Sequence, residues 1–253
     1  MTLFGNMKFK TAITNLNNGE EIIRGYKLED LMQKKSFAET IFLILKGELP
    51  NENEAKMFNA ILTSAIDHGP GTASGLTSRV VASAKNSMHV SVAAGILAMG
   101  ESHGSAIEGA AKFFQEQKYN ADLFGTVQKL KEQKVRLPGF GHAVLTDDQR
   151  ANHLFATAKD LGFFGKHCIV AEATRVALNQ ISSKPLPLNI DGAMAAVLSD
   201  MGFDYKIMKG IFIIARVPGL VAHVFEETTS GDGLRRLGEE DILYTGETGK
   251  EIN

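Results

Sequence analysis

Histidine and aspartate residues in four glycine-rich loops are the side chains of this chain best suited to chemistry. The loops are Asp67-His68-Gly69-Pro70, Glu101-Ser102-His103-Gly104-Ser105, Leu137-Pro138-Gly139-Phe140-Gly141-His142 and Leu188-Asn189-Ile190-Asp191-Gly192. Imidazole and carboxylate groups exchange protons near neutral pH, so general acid–base catalysis is the chemistry that they favour. The histidine spacing matches no zinc motif, and we expect no metal site.

Each loop also has a purely structural interpretation. His68 suits a helix C-terminus, Ser102 suits an N-cap, and His142 is compatible with an ordinary loop. Asp191 suits the N-cap of a helix predicted to begin at Gly192. The catalytic and capping interpretations of Asp191 are compatible, because a helix N-terminus keeps a carboxylate ionised. We therefore expect a base that works without a large pKa shift.

Several arginines follow these loops. Arg150 lies eight residues after His142, and Arg216 lies within the apolar stretch Gly210–Gly219. A buried arginine is costly unless an anion meets it, so Arg216 indicates an anionic ligand. Arg235 and Arg236 lie in a glycine-rich tail. Guanidinium groups together with histidine and aspartate favour a polycarboxylate substrate.

The elements that position these loops are predicted to be helices. Apolar residues recur every three or four positions, which is typical of amphipathic helices. The predicted helical segments are Lys27–Leu45 (interrupted by a Ser36 cap), Glu52–His68, Ser87–Met99, Gly104–Gln117, Asp122–Glu132, Gln149–Leu161, Lys166–Ser182, Gly192–Met201 and Lys206–Glu226. The strands are limited to a small hairpin, Thr11–Asn15 with Glu21–Arg24, and the tail Gly231–Asn253 is predicted to be irregular. The fold class is predicted to be all-α, with no alternation of strands and helices.

The composition narrows the functional classes. The 253 residues include 27 Lys and Arg against 29 Asp and Glu, which gives a net charge of −2 and no basic field for a nucleic acid. Cys168 is the single cysteine of the sequence, which fits a reducing compartment. The N-terminal segment lacks the apolar region of a signal peptide, and the longest apolar runs are shorter than the ~20 residues of a membrane span. We expect a cytoplasmic protein with neither nucleic-acid nor membrane partners.

The order of the loops resembles the citrate synthase superfamily. The segments that carry the resemblance lie along nearly the whole chain: Ile23-Arg-Gly-Tyr-Lys-Leu-Glu-Asp-Leu, Ser36-Phe-Ala-Glu, Leu45-Lys-Gly-Glu-Leu-Pro, Asp67-His68, Glu101-Ser-His-Gly-Ser-Ala, Gly139-Phe-Gly-His-Ala-Val-Leu, Asn189-Ile-Asp-Gly and Arg216-Val-Pro-Gly-Leu-Val-Ala-His. Each motif alone is weak evidence, but their shared order is specific.

The resemblance implies a two-domain helical homodimer or higher homo-oligomer. Residues 1–103 and 206–253 would form the large dimerisation domain, and residues 104–205 the small domain that binds coenzyme A. The active site would lie in a cleft whose closure excludes water. A coenzyme A thioester would be a substrate, contacted by Leu137, Gly139 and Gly141, and no tightly bound cofactor is implied.

The resemblance also implies roles for the loop residues. His103 would stabilise the enolate of the thioester, His142 would bind the oxaloacetate carbonyl or the citryl hydroxyl, and Asp191 would exchange the proton of the acetyl methyl carbon. The substrate carboxylates would be held by His68, Arg150, Arg216 and a tail arginine of the partner subunit, for which Arg235 and Arg236 are both candidates.

The activity that this resemblance favours is that of a citryl-CoA lyase, which cleaves citryl-CoA to acetyl-CoA and oxaloacetate. The short chain resembles such lyases and the citryl-cleaving module of ATP-citrate lyase more than the longer citrate synthases. The alternatives are a short citrate synthase, a 2-methylcitrate synthase that uses a propionyl thioester, and a non-catalytic subunit that binds coenzyme A or carboxylates.

Overall fold

The predicted helices are present. The computed structural model describes residues 10–17, 19–101, 103–104, 106–141 and 147–252. These residues contain eleven α-helices: α1 (Leu28–Lys34), α2 (Phe37–Lys46), α3 (Glu52–Ser64), α4 (Ala73–Ser83), α5 (Met88–Leu97), α6 (Ala106–Gln117), α7 (Leu123–Glu132), α8 (Gln149–Leu161), α9 (Lys166–Ile181), α10 (Ile190–Asp200) and α11 (Tyr205–Ser230). The prediction of an all-α fold class is confirmed.

Local capping explains where α2 begins and ends. The backbone N–H of Glu39 donates to Ser36 Oγ at 3.3 Å, and the backbone N–H of Ser36 donates to Glu39 Oε2 at 2.9 Å. This reciprocal pair satisfies two amides that no helical carbonyl can reach. Gly47 ends the helix with φ 94°, a left-handed conformation that glycine adopts without a steric penalty. The break predicted at Ser36 is therefore confirmed.

A three-stranded antiparallel sheet precedes the helices. Its strands are β1 (Thr14–Asn17), β2 (Glu20–Ile23) and β3 (Tyr26–Lys27), with Thr14 opposite Ile23. The predicted hairpin is present, with its first strand displaced toward the turn. The Arg24 guanidinium donates to the Ile44 carbonyl at 2.8 and 3.1 Å, which ties the sheet to the end of α2.

The first of two compact units comprises the described residues of 1–66 and 104–216. Its central helix is α10, in which every residue from Gly192 to Ser199 is buried, and α6, α8 and α9 pack against it. Three phenylalanine rings fill the space between α2, α3 and the residues after α10, with centroids 5.4 to 5.8 Å apart. The N-terminus of a nearly inaccessible helix therefore carries Asp191.

The second unit comprises the described residues of 67–103 and 217–253. It contains α4, α5 and the C-terminal part of α11, and α4 was not predicted. The buried residues of α4 are small, among them Ser74, Ser78 and Ala82, so its buried face lacks the row of large apolar residues that reveals a helix. The small side chains allow close packing, because a Cβ atom placed on Gly95 of α5 would lie 2.9 Å from the Ser74 carbonyl.

Helix α11 is longer than predicted and contains Pro218. Proline has no N–H, so one hydrogen bond of the helix is missing at this point. Within the described residues, α11 is the helix long and apolar enough to cross a membrane. Its buried side chains, including Met208, Ile211 and Phe212, are equally typical of a core helix in a globular protein.

The two compact units divide the chain differently from the predicted domains. The predicted boundaries, residues 104 and 205, enclose the coenzyme A-binding domain implied by the resemblance. The first unit also includes residues before 67 and extends to Arg216. Packing within one chain does not define which residues dimerise or bind coenzyme A, so the domain assignment stays a prediction.

Candidate active site

Asp191 lies in the first turn of α10 and is not its cap. The helix begins at Ile190, and its N-cap is Asn189, whose Oδ1 accepts the backbone N–H of Gly192 at 3.1 Å. The prediction that Asp191 is the N-cap of this helix is therefore wrong, since the N-cap lies two residues earlier, at Asn189. An amide side chain satisfies the helix end here, which leaves the Asp191 carboxylate available for another purpose.

The Asp191 carboxylate is buried, and its proton affinity is raised. Oδ1 is shielded from solvent and has no hydrogen-bond partner among the residues that the structure describes. Burial raises the pKa of Asp191 to about 6, against the opposing charges of Arg216 and Arg150 and with a smaller contribution from Asp148. The expectation of a nearly unshifted base is wrong, because loss of hydration outweighs the charges of both arginines.

Two arginines of the first unit, Arg150 and Arg216, were predicted to bind carboxylates. The charges of both lower the pKa of Asp191. Arg216 is 3% exposed, its Nε donates to the Ala65 carbonyl at 2.7 Å, and its guanidinium lies 5.1 Å from the centroid of the Phe212 ring. Arg150 is part-buried on α8, and its charge also lowers the proton affinity of Asp191. Two cations and one buried acid thus occupy one neighbourhood, as an anionic substrate requires.

Asp148 is a buried site residue that the sequence analysis missed. Its carboxylate accepts Arg150 Nε at 3.0 Å and Nη2 at 2.9 Å, and it also accepts the backbone N–H of Ile190 at 3.0 Å. Burial alone would raise the pKa of Asp148, but the hydrogen bonds from Arg150 and Ile190 bring it below its ordinary value. The carboxylate therefore orients Arg150 and fixes the start of α10. Its position before a predicted helix was a capping signal that could have identified it.

The glycine-rich loop before His142 is held against the start of α10. Gly141 N–H donates to the Pro187 carbonyl at 2.7 Å, and Asn189 N–H donates to the Gly139 carbonyl at 3.0 Å. The Asn189 side chain, besides capping α10, donates from Nδ2 to the Gly141 carbonyl at 2.9 Å. A Cβ atom on Gly192 would lie 2.4 Å from the Gly139 carbonyl oxygen, so this contact requires glycine. His142 itself lies outside the described residues.

His103 belongs to the second unit, and its ring contacts the N-terminus of α4. Its Nε2 accepts the backbone N–H of Ser74 at 3.3 Å and lies 2.8 Å from Ser74 Oγ. A nitrogen that accepts an amide hydrogen carries no proton, so we infer that the neutral ring is protonated on Nδ1. The helix N-terminus that contacts the His103 ring is that of α4. The predicted cap Ser102 lies outside the described residues.

The loop that contains His68 joins α3 to α4. The helix predicted to end at His68 ends at Ser64, so His68 lies beyond the C-terminus that it was predicted to stabilise. Asp67 organises the turn: its Oδ2 accepts the N–H of Gly69 at 3.0 Å, and its Oδ1 lies 3.0 Å from Nε2 of His223 on α11. His68 is exposed in the second unit, and its predicted substrate contact stays a prediction.

The two tail arginines differ in their surroundings. Arg235 Nε donates to Glu227 Oε1 at 2.6 Å, and its Nη2 donates to Asp232 at 2.9 Å. Arg236 is exposed and makes no hydrogen bond or ion pair with any residue that the structure describes.

The predicted coenzyme A-contacting segment lines a cavity of about 200 Å³ in the first unit. Leu137 lies in its wall, while Gly139 and Gly141 form the adjoining buried turn. The cavity is lined by six apolar residues, two basic residues and a serine: Val127, Val135, Leu137, Phe140, Leu178, Leu186, Lys131, Arg136 and Ser182.

The predicted site residues fall into two sets, one in each unit. The first unit gathers Arg150, Asp191, Arg216 and the Leu137–Gly141 segment, and the second carries His68, His103, Arg235 and Arg236. Within the described residues, no group of three or more histidine, cysteine or acidic side chains is arranged to hold a metal ion. The first set can bind an anion and exchange a proton, and the second offers a neutral imidazole donor.

Comparison with known sequences places these features in a family. The model of the citrate synthase C-terminal domain matches residues 2–65 and 51–237. Citrate synthase 2 of Bacillus subtilis (strain 168) is 31% identical over 230 residues, which are 89% of this chain and 60% of the relative. The chain thus spans somewhat less than two thirds of that relative's length.

Solved structures share the fold over nearly the whole chain. Citryl-CoA lyase from Hydrogenobacter thermophilus is 46% identical, with a TM-score of 0.90 and 97% coverage of both chains. ATP citrate lyase from Methanothrix soehngenii, solved with citrate and coenzyme A, has a TM-score of 0.86. The match covers 99% of this chain and 44% of the ATP citrate lyase chain. At 23% sequence identity, this likeness supports a shared fold alone. The resemblance drawn from the loop motifs is confirmed, and the chain belongs to the citrate synthase family.

Proposed function

We propose that this protein is a citryl-CoA lyase that cleaves citryl-CoA to acetyl-CoA and oxaloacetate. The observation that carries the proposal is the buried Asp191 carboxyl, with a pKa of about 6 and the charges of two arginines acting on it. Similarity to a citryl-CoA lyase over 97% of both chains supports cleavage as the direction. The chemistry needs an acid beside cations that bind a polycarboxylate, and this neighbourhood contains both.

Asp191 is proposed to deliver a proton to carbon. When the citryl hydroxyl loses its proton, the C–C bond breaks, the hydroxyl carbon becomes the oxaloacetate carbonyl, and the electron pair moves into the thioester enolate. Protonation of the enolate carbon then gives the acetyl methyl group. A carboxyl with a pKa of about 6 retains part of its protonated form near neutral pH, whereas an unshifted aspartate would hardly do so.

His103 is proposed to stabilise the enolate oxygen. With Nε2 accepting from Ser74, the ring presents its proton on Nδ1, the donor that a thioester oxygen requires. A neutral donor strengthens its hydrogen bond as negative charge develops on oxygen, which lowers the barrier rather than only binding substrate.

The carboxylates and the hydroxyl of the substrate are assigned to the remaining residues. Arg150 and Arg216 would bind carboxylates, with Asp148 orienting Arg150 for a two-point contact. His68 would contribute a further donor from the second unit. His142, which lies outside the described residues, would remove the citryl hydroxyl proton, as the family resemblance implies.

Coenzyme A is proposed to bind at the cavity beside Leu137. The apolar lining suits the flat adenine, and Arg136, which also lines the cavity, suits phosphate groups. Lys131 lines the same cavity and contacts the Ile181 carbonyl and Ser182 Oγ at the end of α9. No tightly bound cofactor is needed, because the coenzyme enters and leaves as part of substrate and product.

A homodimer is proposed from the exposed apolar surface of the second unit. Large apolar side chains of its three helices face solvent, among them Leu76 and Val80 of α4, Val90 and Leu97 of α5, and Val221 and Phe225 of α11. The pairs are spaced four or seven residues apart, so each helix presents a stripe. Apolar stripes on neighbouring helices are typical of a permanent interface between copies of one chain.

The specific alternative is a short citrate synthase, which the 31% identity to citrate synthase 2 of Bacillus subtilis favours. The same site would then condense acetyl-CoA, or a propionyl thioester, with oxaloacetate and release the free acid. The alternative from a different functional class is a non-catalytic subunit of the same family, which would bind coenzyme A or carboxylates without turnover.

Two assays separate these functions. Supplied with citryl-CoA, a lyase forms oxaloacetate, and the Asp191→Asn variant does so at least a hundredfold more slowly. The exposed Asp160→Asn variant is the matched control. Supplied with acetyl-CoA and oxaloacetate, a lyase does not release free citrate. Citrate release would identify a synthase, and binding of coenzyme A without turnover in either assay would identify a binding subunit.

A further inference from the structure

His223 ends the sequence motif that begins at Arg216, and the proposed function gives this histidine no role. Its side chain, on α11, is 13% exposed, and its Nε2 lies 3.0 Å from Asp67 Oδ1. The other ring nitrogen, Nδ1, lies 3.9 Å from Glu226 Oε2, which is beyond hydrogen-bond distance. The contact with Asp67 thus ties the C-terminal part of α11 to the loop that precedes α4.

The Asp67 carboxylate accepts hydrogen bonds from both the ring and the loop. Burial would raise the pKa of Asp67, but hydrogen bonds from the Gly69 and His68 amides, together with the His223 ring, bring it below its ordinary value. Asp67 is therefore ionised at neutral pH and can only accept hydrogen bonds. We infer that His223 carries a proton on Nε2 and donates it to the carboxylate.

The turn that Asp67 orders packs directly on the first turn of α4. The Gly69 carbonyl accepts the Thr72 hydroxyl at 3.1 Å. Thr72 is the N-cap of α4, and its Oγ1 accepts the backbone N–H of Gly75 at 3.2 Å. A Cβ atom on Gly75 would lie 2.9 Å from the Gly69 carbonyl oxygen, so the turn and the helix are in close contact. A displacement of the Asp67 turn would therefore move the start of α4.

The start of α4 is also the surface that the His103 ring contacts. Ser74, two residues after the cap, donates its backbone N–H to His103 Nε2 at 3.3 Å, and its Oγ lies 2.8 Å from the same nitrogen. Contacts within the second unit thus lead from His223 through Asp67 and Thr72 to His103.

We propose that His223 is a positioning residue: its hydrogen bond to Asp67 sets the place of the α4 start, against which the His103 ring is oriented. The kinetic consequence of this proposal rests on the function proposed above, in which His103 stabilises the enolate. The Asp67 side chain is 41% exposed, so the pair contributes little to stability. Its effect should appear in the rate, because a small displacement of a group that acts on the transition state is costly.

Kinetics and the nitrogen resonances of the His103 ring test the proposal. His223→Leu removes the donor, and we expect it to lower kcat for citryl-CoA cleavage about tenfold, with little change in KM, and to shift the His103 resonances. His223→Gln should restore most of the rate, because its amide N–H can replace Nε2–H. Thr72→Val, which keeps the side-chain shape but breaks the cap, should give the same changes as His223→Leu. His153→Leu, at an exposed position of α8, is the matched control.

The double variant His223→Leu/Thr72→Val tests whether the two residues act through one path. We expect it to be little slower than the slower single variant, since both changes loosen the same turn. Multiplicative losses would overturn the proposal, because the two residues would then act independently.

Two further results would contradict it. The proposal is wrong if the His103 resonances of His223→Leu match those of the wild type, whatever the rate. Shifted resonances with a wild-type kcat would overturn the role of His223 in catalysis. If the wild-type protein turns over no citryl-CoA, the proposed function fails. The His103 resonances need no substrate, so they would still decide whether His223 orients the ring.

Discussion

Replacing Asp191 by asparagine should stabilise the protein in a pH-dependent way. The carboxyl has a pKa of about 6 in the folded chain and an ordinary value of 3.8 when hydrated. A raised aspartate pKa means that the folded state holds the proton more tightly than the unfolded state. Folding stability is therefore lost as the pH rises from 3.8 to 6, and above 6 the full loss persists.

The size of the effect follows from the two pKa values. At about 1.4 kcal/mol per tenfold change in proton affinity, ionised Asp191 lowers the free energy of unfolding by about 3 kcal/mol at pH 8. The same linkage gives about 1.6 kcal/mol at pH 5 and about 0.6 kcal/mol at pH 4. Asparagine has nearly the same shape and carries no charge, so Asp191→Asn should remove this penalty while abolishing turnover.

Urea unfolding of the wild type and Asp191→Asn at several pH values measures the effect. Protein concentration is held constant, so that self-association does not alter the comparison. The difference in free energy of unfolding should grow by about 2.5 kcal/mol between pH 4 and pH 8. Asp160→Asn, at an exposed position of α8, should show no such growth. A difference in free energy of unfolding that stays constant between pH 4 and pH 8 would refute the raised pKa of Asp191 and the burial argument behind it.

Three further outcomes are expected. Asp148→Asn should lower kcat/KM more than tenfold by freeing Arg150, whereas Asp147→Asn at the exposed neighbouring position should not, as steady-state kinetics would show. Gly192→Ala should destabilise the protein by 2 kcal/mol or more, judged by thermal unfolding, because its Cβ would meet a backbone carbonyl at 2.4 Å; Gly210→Ala, with 3.8 Å to the nearest atom, is the tolerated control. Cys168 is buried and its thiol pKa is raised, so it should react with a disulfide reagent only after unfolding.

The sequence predicted helices well wherever a helix has one apolar face. Ten of the eleven helices correspond to segments with periodic large apolar residues or capping pairs such as Ser36 and Glu39. The exception is α4, which buries Ser74 and Ser78 against α5 and whose buried face has no row of large apolar residues to detect. Packing of small residues depends on a neighbouring helix, so it leaves little periodicity in the segment itself.

The sequence identified candidate residues for the site but not the electrostatics of those residues. Loop composition identified Asp191, and the apolar context identified Arg216. The displacement of the helix start to Ile190 depended on competition between two capping side chains, which local propensity does not decide. The pKa of Asp191 depends on burial by segments distant in sequence, and so does the role of Asp148 in orienting Arg150.

The two hydrogen bonds of the Asn189 side chain restrict which residues this position can accept. Helix capping alone would allow serine, threonine or aspartate, since each offers an acceptor oxygen. Residue 189 must also donate to the Gly141 carbonyl across the junction of two loops. Aspartate has no donor when ionised, and a hydroxyl is shorter than the amide and has a single hydrogen. A substitution library guided by helix propensity would therefore admit at this position three residue types that the loop contact disfavours.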